Sequence, residues 1–199
     1  MSFRRLAAVA LAVVLGLQIG VPPRVRAGET AGPAPKIDAQ AFQAAVDRAA
    51  SYLRVKAQAR DGSFAAFTGP GPTAVITTAL LRNGFGPSDP LVAKGLKYLE
   101  GMRRTSGAIC QAGSLYANYE TCLAMMAFAA ANKEGRYDKL IKAAEAFVKG
   151  EQWDEAKGQD RTSFGYGGAG YGKHKRPDLS NTQFFIDALQ AVGDGPTPA

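Results

Sequence analysis

Three stretches, Thr73-Ala-Val-Ile-Thr-Thr-Ala79-Leu80, Thr121-Cys-Leu-Ala-Met-Met-Ala127-Phe128 and Thr182-Gln-Phe-Phe-Ile-Asp-Ala188-Leu189, align without a gap. Each opens on threonine and carries alanine seventh and a large apolar residue eighth. A helix this apolar on nearly every side is enclosed by other helices. Before each lies a segment of a second kind, over Ala39 to Ala57, Pro90 to Arg104 and Lys139 to Gly150. In these, Phe42, Val46, Ala50 and Leu53, then Leu91, Gly95, Tyr98 and Met102, then Leu140, Ala144, Phe147 and Val148 recur at helical spacing. One stripe of each is expected to be buried and the opposite face wet. Tyr52, Tyr98 and Phe147 stand 46 and 49 residues apart and set the repeat length. The pattern predicts an all-α domain over residues 38–193, built of three tandem helical hairpins with apolar inner and amphipathic outer helices.

Local signals place the helix starts. Asp38, Asp89 and Asp138 are expected N-caps, and Pro90 sits in a first turn, where no amide hydrogen is needed. Ser180 with Gln183 reads as a capping box, and Asn118 as a cap one turn before the second apolar run. Between the helices of each pair lies a glycine-rich loop with aromatic residues, Phe64 and Phe67 in the first and Phe164, Tyr166 and Tyr171 in the third. Their rings are expected to pack between neighbouring hairpins while glycine supplies positive φ. Gly165 to Gly170 satisfies a dinucleotide-type glycine spacing, but no strand precedes it and Pro177 follows soon after, so a phosphate site is excluded.

The chain has 199 residues, 46% hydrophobic and 21% charged, as in an ordinary globular protein. Its charge of +7 falls to +3 once residues 1–27 are set aside, because Arg4, Arg5, Arg24 and Arg26 all lie there. A charge that small, without a long basic run, argues against nucleic acid as a partner. Those first 27 residues, with two arginines in Met1 to Arg5, the apolar run Leu6 to Val21 and Val25-Arg26-Ala27 before a cut, read as a secretory signal peptide. Residues 28–37 read as a flexible linker and 194–199 as a tail, and no segment after the leader reads as an integral membrane span. The expected location is periplasmic or extracellular. There, Cys110 and Cys122 allow one disulfide or two buried thiols.

From Gly165-Tyr-Gly-Gly-Ala-Gly-Tyr-Gly-Lys-His-Lys-Arg-Pro-Asp178-Leu-Ser180-Asn181-Thr182 onward, and in the repeat plan over residues 40–193, the chain resembles the squalene-cyclase and protein-prenyltransferase repeat superfamily. The resemblance implies an α/α toroid of six inner and six outer helices around an apolar cavity, of which three hairpins form half. It also implies where chemistry would sit. Cyclases of this group carry Asp-x-Asp-Asp-Thr with the middle aspartate as proton donor, and prenyltransferases carry Asp-x-Cys as zinc ligands. Both positions fall on Ser180 here, next to Asp178 and Asn181, and the single histidine, His174, precedes the aspartate. A serine hydroxyl is too weak an acid to start a carbocation cascade, and one carboxylate does not hold zinc. The thioester signature of a third branch is absent.

The expected function is therefore a binding or scaffolding module for an apolar small molecule or a protein partner, with no metal and no cofactor. Tyr119, Tyr166, Asp178, Ser180 and Asn181 are the candidate ligand contacts, and Ile76, Leu80, Met125, Met126, Phe184 and Phe185 the candidate apolar wall. The competing class is an enzyme, a cyclase-like isomerase or a polysaccharide-active protein, for which Asp178, Glu120 and Asp187 are the candidate catalytic carboxylates. Half a ring leaves apolar helix surface uncovered at both ends. A homodimer, a further half that completes the toroid, and a short free-standing stack are the open resolutions.

Overall fold

The computed structural model describes residues 38–172 and 176–193. The expected signal peptide, linker and tail, together with His174, lie outside the described residues. Six α-helices are present among those described: α1 Ala39–Tyr52, α2 Gly71–Arg82, α3 Pro90–Gly101, α4 Ala117–Ala131, α5 Asp138–Lys149 and α6 Leu179–Ala191. A π-helical turn, Leu53–Ala57, extends α1, and short 3-10 turns occupy Ala66–Thr68 and Glu155–Lys157. The described residues contain no strand, only an isolated bridge between Arg103 and Ile109, so the all-α expectation holds. No described helix is long and apolar enough to cross a membrane.

Helix α4 is the centre of the packing. It lies against α2, α5 and α6, while α3 lies against α2. From Glu120 to Phe128 every residue of α4 is buried, as its all-round apolar character requires. The amphipathic helices bury one stripe each, Leu91, Val92, Gly95, Leu96 and Leu99 on α3 and Leu140, Ile141, Ala144 and Val148 on α5. Helix α1 departs from that rule. Only its Ala50 is buried, and Phe42 is half exposed. The expected stripe exists in sequence but has no helix set against it as α2 faces α3 and α4 faces α5.

The internal repetition is visible in the backbone. The amides of Ala59, Arg104 and Trp153 donate to the carbonyls of Ser63, Ala108 and Gly168, and the amides of Gly62, Gly107 and Gly167 donate back to the carbonyls of Ala59, Arg104 and Trp153. The next residue but one then turns to the following helix. The amides of Phe64, Ile109 and Ala169 donate to Oγ1 of Thr73, Thr121 and Thr182 at 2.9, 3.0 and 3.1 Å. This is why threonine opens all three apolar stretches: each hydroxyl pins the loop before its helix, a contact worth about 1 kcal/mol.

Several start signals act differently from expectation. Asp89 caps α3, accepting from the Leu91 amide at 2.8 Å. Asp138 lies inside α5; Tyr137 holds the cap position, its amide donating to Asn132 Oδ1, while Asn132 Nδ2 donates to Asp138 Oδ1. Helix α6 is capped by Asp178, whose Oδ1 accepts from the Asn181 amide at 2.9 Å, which puts Ser180 inside the first turn. Asn118 is also inside its helix, because the Tyr171 carbonyl accepts from the Asn118 and Tyr119 amides and does a cap's work from a distant loop. Among the loop aromatics, Phe64 is buried, but Phe67 and Phe164 are fully exposed, 90% and 104%. Those two do not pack between hairpins, since no described element covers them.

Candidate functional site

A cavity of about 590 Å³ opens between α2, α4 and α6. Its wall is largely apolar. Val75 and Ile76 come from α2, Tyr119 from α4 and Phe184 from α6, with Tyr171 and Tyr116 at one end. The rings form a chain of edge-on contacts, Tyr116 to Tyr171 at 5.3 Å, Tyr171 to Tyr119 at 5.9 Å and Tyr119 to Phe184 at 5.2 Å between centroids. Such pairs add about 1 kcal/mol each beyond area burial, which stiffens this wall.

The glycine-rich loop delivers Tyr171. Asn118, buried in α4, donates from Nδ2 to the Gly170 carbonyl at 2.7 Å, and the Tyr171 carbonyl accepts the two helix amides already described. A Cβ on Gly172 would come to 3.3 Å from the Ala117 nitrogen and the Leu115 oxygen. Glycine there lets the loop lie close against the start of α4.

Glu120 is the one carboxylate among the described residues that line the cavity. It is buried, its Oε2 accepts from the Gln111 amide at 3.1 Å, and Oε1 lies against the Gly69 backbone. Burial pushes its carboxyl above the ordinary value, while the Gln111 amide, the Ser114 hydroxyl and the Arg104 charge pull part of the way back. A group whose folded pKa is raised stabilises the fold fully below the unfolded value and loses that contribution as pH rises through the folded value. Glu120→Gln is therefore expected to be more stable than the natural chain at pH 7, and the difference should close as pH falls below the ordinary 4.5. Urea unfolding at a series of pH values measures it; a gap that widens toward acid contradicts the assignment.

The other candidates are dispersed. Ser180, Tyr119 and Glu120 share the cavity, and Asp178, Asn181 and Tyr166 are not in its lining. Both oxygens of Asp178 are engaged by Asn181, Oδ1 by the amide and Oδ2 by Nδ2 at 2.6 Å. Tyr166 donates its hydroxyl to Glu155 Oε1 at 2.8 Å. Asp187 accepts from Gln183 Nε2 at 2.7 Å and borders a second cavity of about 380 Å³, which shares Val75 and Phe184 with the first. Of the expected apolar wall, Ile76 and Phe184 line the first cavity and Met126 the second. Leu80, Met125 and Phe185 face the core instead, each buried among neighbouring helices.

Cys110 and Cys122 are buried free thiols. Cys122 donates to Asn118 Oδ1, and burial pushes its thiol up to about 12, so it is inert at neutral pH. Among the described residues no three His, Cys, Asp or Glu side chains are grouped to hold a metal ion.

Sequence reasoning missed Val75, read only as part of an apolar helix, and Tyr171, read as packing between hairpins, and it missed Thr68, Gly71, Pro72 and Tyr116 as lining residues. The signal of these last four was position: each lies at or just before the start of an apolar helix, where the loop meets the cavity. Phe67, Leu115 and Leu179, next in sequence to the lining residues Thr68, Tyr116 and Ser180, are exposed. No protein-family model, no curated protein and no solved structure matches the chain.

Proposed function

We propose that this chain is an exported helical-repeat protein of the squalene-cyclase and prenyltransferase type, an arc of three hairpins, that binds an apolar molecule and carries out neither group's chemistry. The observation that supports it most is the cavity between α2, α4 and α6, apolar in its walls and holding one buried carboxylate. A pocket with hydrophobic walls and one placed polar group suits a molecule with a long apolar body and a small polar end. Because burial disfavours the charged form of Glu120, that end is a neutral hydroxyl in preference to a carboxylate. Ser180 stands where the resemblance would place either a proton donor or a thiolate ligand, and it supplies neither.

The test is displacement of a fluorescent naphthylamine probe by farnesol and, separately, by palmitate. Saturable displacement by the alcohol, weaker displacement by the acid, and at least about tenfold loss of both in Val75→Trp, which fills the cavity from α2, is the expected result. Absence of saturable binding, or binding unchanged in Val75→Trp, sinks the reading. The enzyme reading keeps one observation in its favour, the buried acid Glu120 on the cavity. Turnover of a polyene or an oligosaccharide that disappears in Glu120→Gln would establish it in place of simple binding.

A further inference from the structure

The repeats leave a matched pair of unused surfaces at the two ends of the described residues. Gly62 has φ +92°, and a Cβ on it would lie 2.2 Å from the carbonyl oxygen of Lys94 in α3. Gly107 also has φ +92°, and a Cβ there would lie 2.3 Å from the carbonyl oxygen of Ala143 in α5. Lys94 and Ala143 occupy equivalent positions, each four residues before the ring, Tyr98 or Phe147, that marks the repeat. In both repeats, then, the next amphipathic helix is seated on the loop glycine. Gly167 holds the same place in the third loop by its backbone hydrogen bonds, with φ +77°, and among the described residues nothing lies within 4 Å of a Cβ built on it.

The glutamine that precedes the first and third loops, where the second has Arg103, shows the same gap. Gln58 Nε2 donates both to the Gly62 carbonyl at 3.1 Å and to the Leu91 carbonyl of α3 at 2.8 Å. Gln152 Nε2 repeats the first bond, to Gly167 at 2.9 Å, and among the described residues no helix carbonyl is in place to repeat the second. Helix α6 likewise packs on α4, and among the described residues no helix is seated on it as α3 is on α2.

At the other end, α1 has the face that such a seat takes. Counting back from Tyr52 as from Tyr98 and Phe147, Ala45 corresponds to Leu91 and Leu140, and Ala49 to Gly95 and Ala144. Those four residues of α3 and α5 are buried, whereas Ala45 and Ala49 are exposed. Gly95 rests on Thr77 and Thr73 of α2, whose counterparts on α6 are Ile186 and Thr182. Small residues at Ala45 and Ala49 let the two backbones approach as closely as Gly95 permits.

We propose that α1 of a second copy of this chain docks on α6 and the Gly167 loop, with Ala49 over Ile186 and Thr182, continuing between copies the contact that joins α3 to α2 and α5 to α4 within one copy. The contact is head to tail, so successive copies close into a ring or extend as a fibre according to the rotation each adds. It leaves the ligand reading independent, since none of these residues lines the cavity.

The experiment uses the whole purified chain. Light scattering at roughly 50 μM, where a standard-sized interface of micromolar affinity is populated, is expected to give a multiple of 20.9 kDa. Ala49→Glu places a charge in the joint and should weaken association on the order of 100-fold while leaving single-copy folding intact, because Ala49 is exposed in one copy. Mixing an Ala49→Cys chain with an Ile186→Cys chain should yield an oxidised two-chain product that neither yields alone. A single-copy mass, an association unmoved by Ala49→Glu, or a crosslink equally abundant in the unmixed samples would each overturn the proposal, whatever the ligand titrations show.

Discussion

Gly107→Ala is expected to lower the unfolding free energy by about 4 kcal/mol, a tail-of-the-distribution loss for a single methyl group. Two costs combine. At φ +92° an alanine is held in left-handed backbone, which costs roughly 1–2 kcal/mol, and its Cβ meets a backbone oxygen of α5 that cannot turn aside as a side chain would. The relief is to lift α5 off the loop, which uncovers Leu140 and Ile141. Gly62→Ala should behave alike through α3. Gly167→Ala has the first cost without the second, so in single copies it should lose only about 1 kcal/mol. Urea unfolding of the three variants compares them at one temperature. Equal losses at the three positions would show that the seat geometry is unimportant.

Phe128→Ala is expected to cost about 4 kcal/mol, within the range for emptying a large aromatic site. The ring is fully buried near the end of α4 and lies against Tyr137, with centroids 4.8 Å apart and planes tilted by 51°. The space it leaves is bounded by the most enclosed helix of the protein, which has least freedom to collapse. Leu189, the counterpart in α6, has fewer neighbours around its helix, and Leu189→Ala should fall nearer about 2 kcal/mol. A thermal scan separates the two by several degrees for a domain of this size. If the Leu189 variant proved the weaker, α6 would have to be more enclosed than its packing on α4 alone provides.

Much of the fold was legible in the residues because the relevant signals are carried by neighbours in sequence. Thr73, Thr121 and Thr182 mark the same register, and in each case the hydroxyl meets the loop nine, twelve or thirteen residues upstream, a contact between segments adjacent in the chain. The stripes of α3 and α5 were equally clear, since apolar residues three and four apart share a face whatever surrounds them. The cap of α3 was read correctly at Asp89. At α5 the same residue type was displaced by one position, because Asn132 reaches the Tyr137 amide from the preceding turn.

The candidate site was less legible. Asp178, Ser180 and Asn181 sit in one helical turn, yet the helix points Ser180 into the cavity and turns Asp178 to its own amides. Glu120 and Asp187, both within apolar helices, border different cavities. Asn118 has a cap's identity but lies inside α4, where the Tyr171 carbonyl takes its amide and the Gly170 carbonyl, 52 positions away, its side chain. Tyr171 lines the cavity through the same long-range bond.

The amino-acid order by itself determined that the chain makes helices of two kinds, where each begins to within a few residues, and that the pattern occurs three times. Helical period and glycine placement act over a turn or a loop, so they can be read one segment at a time. Only the tertiary structure decided which faces are used. The apolar residues of α1 recur at helical spacing as those of α5 do, but burial requires a second surface from elsewhere in space, and whether such a surface arrives is not written in the stripe.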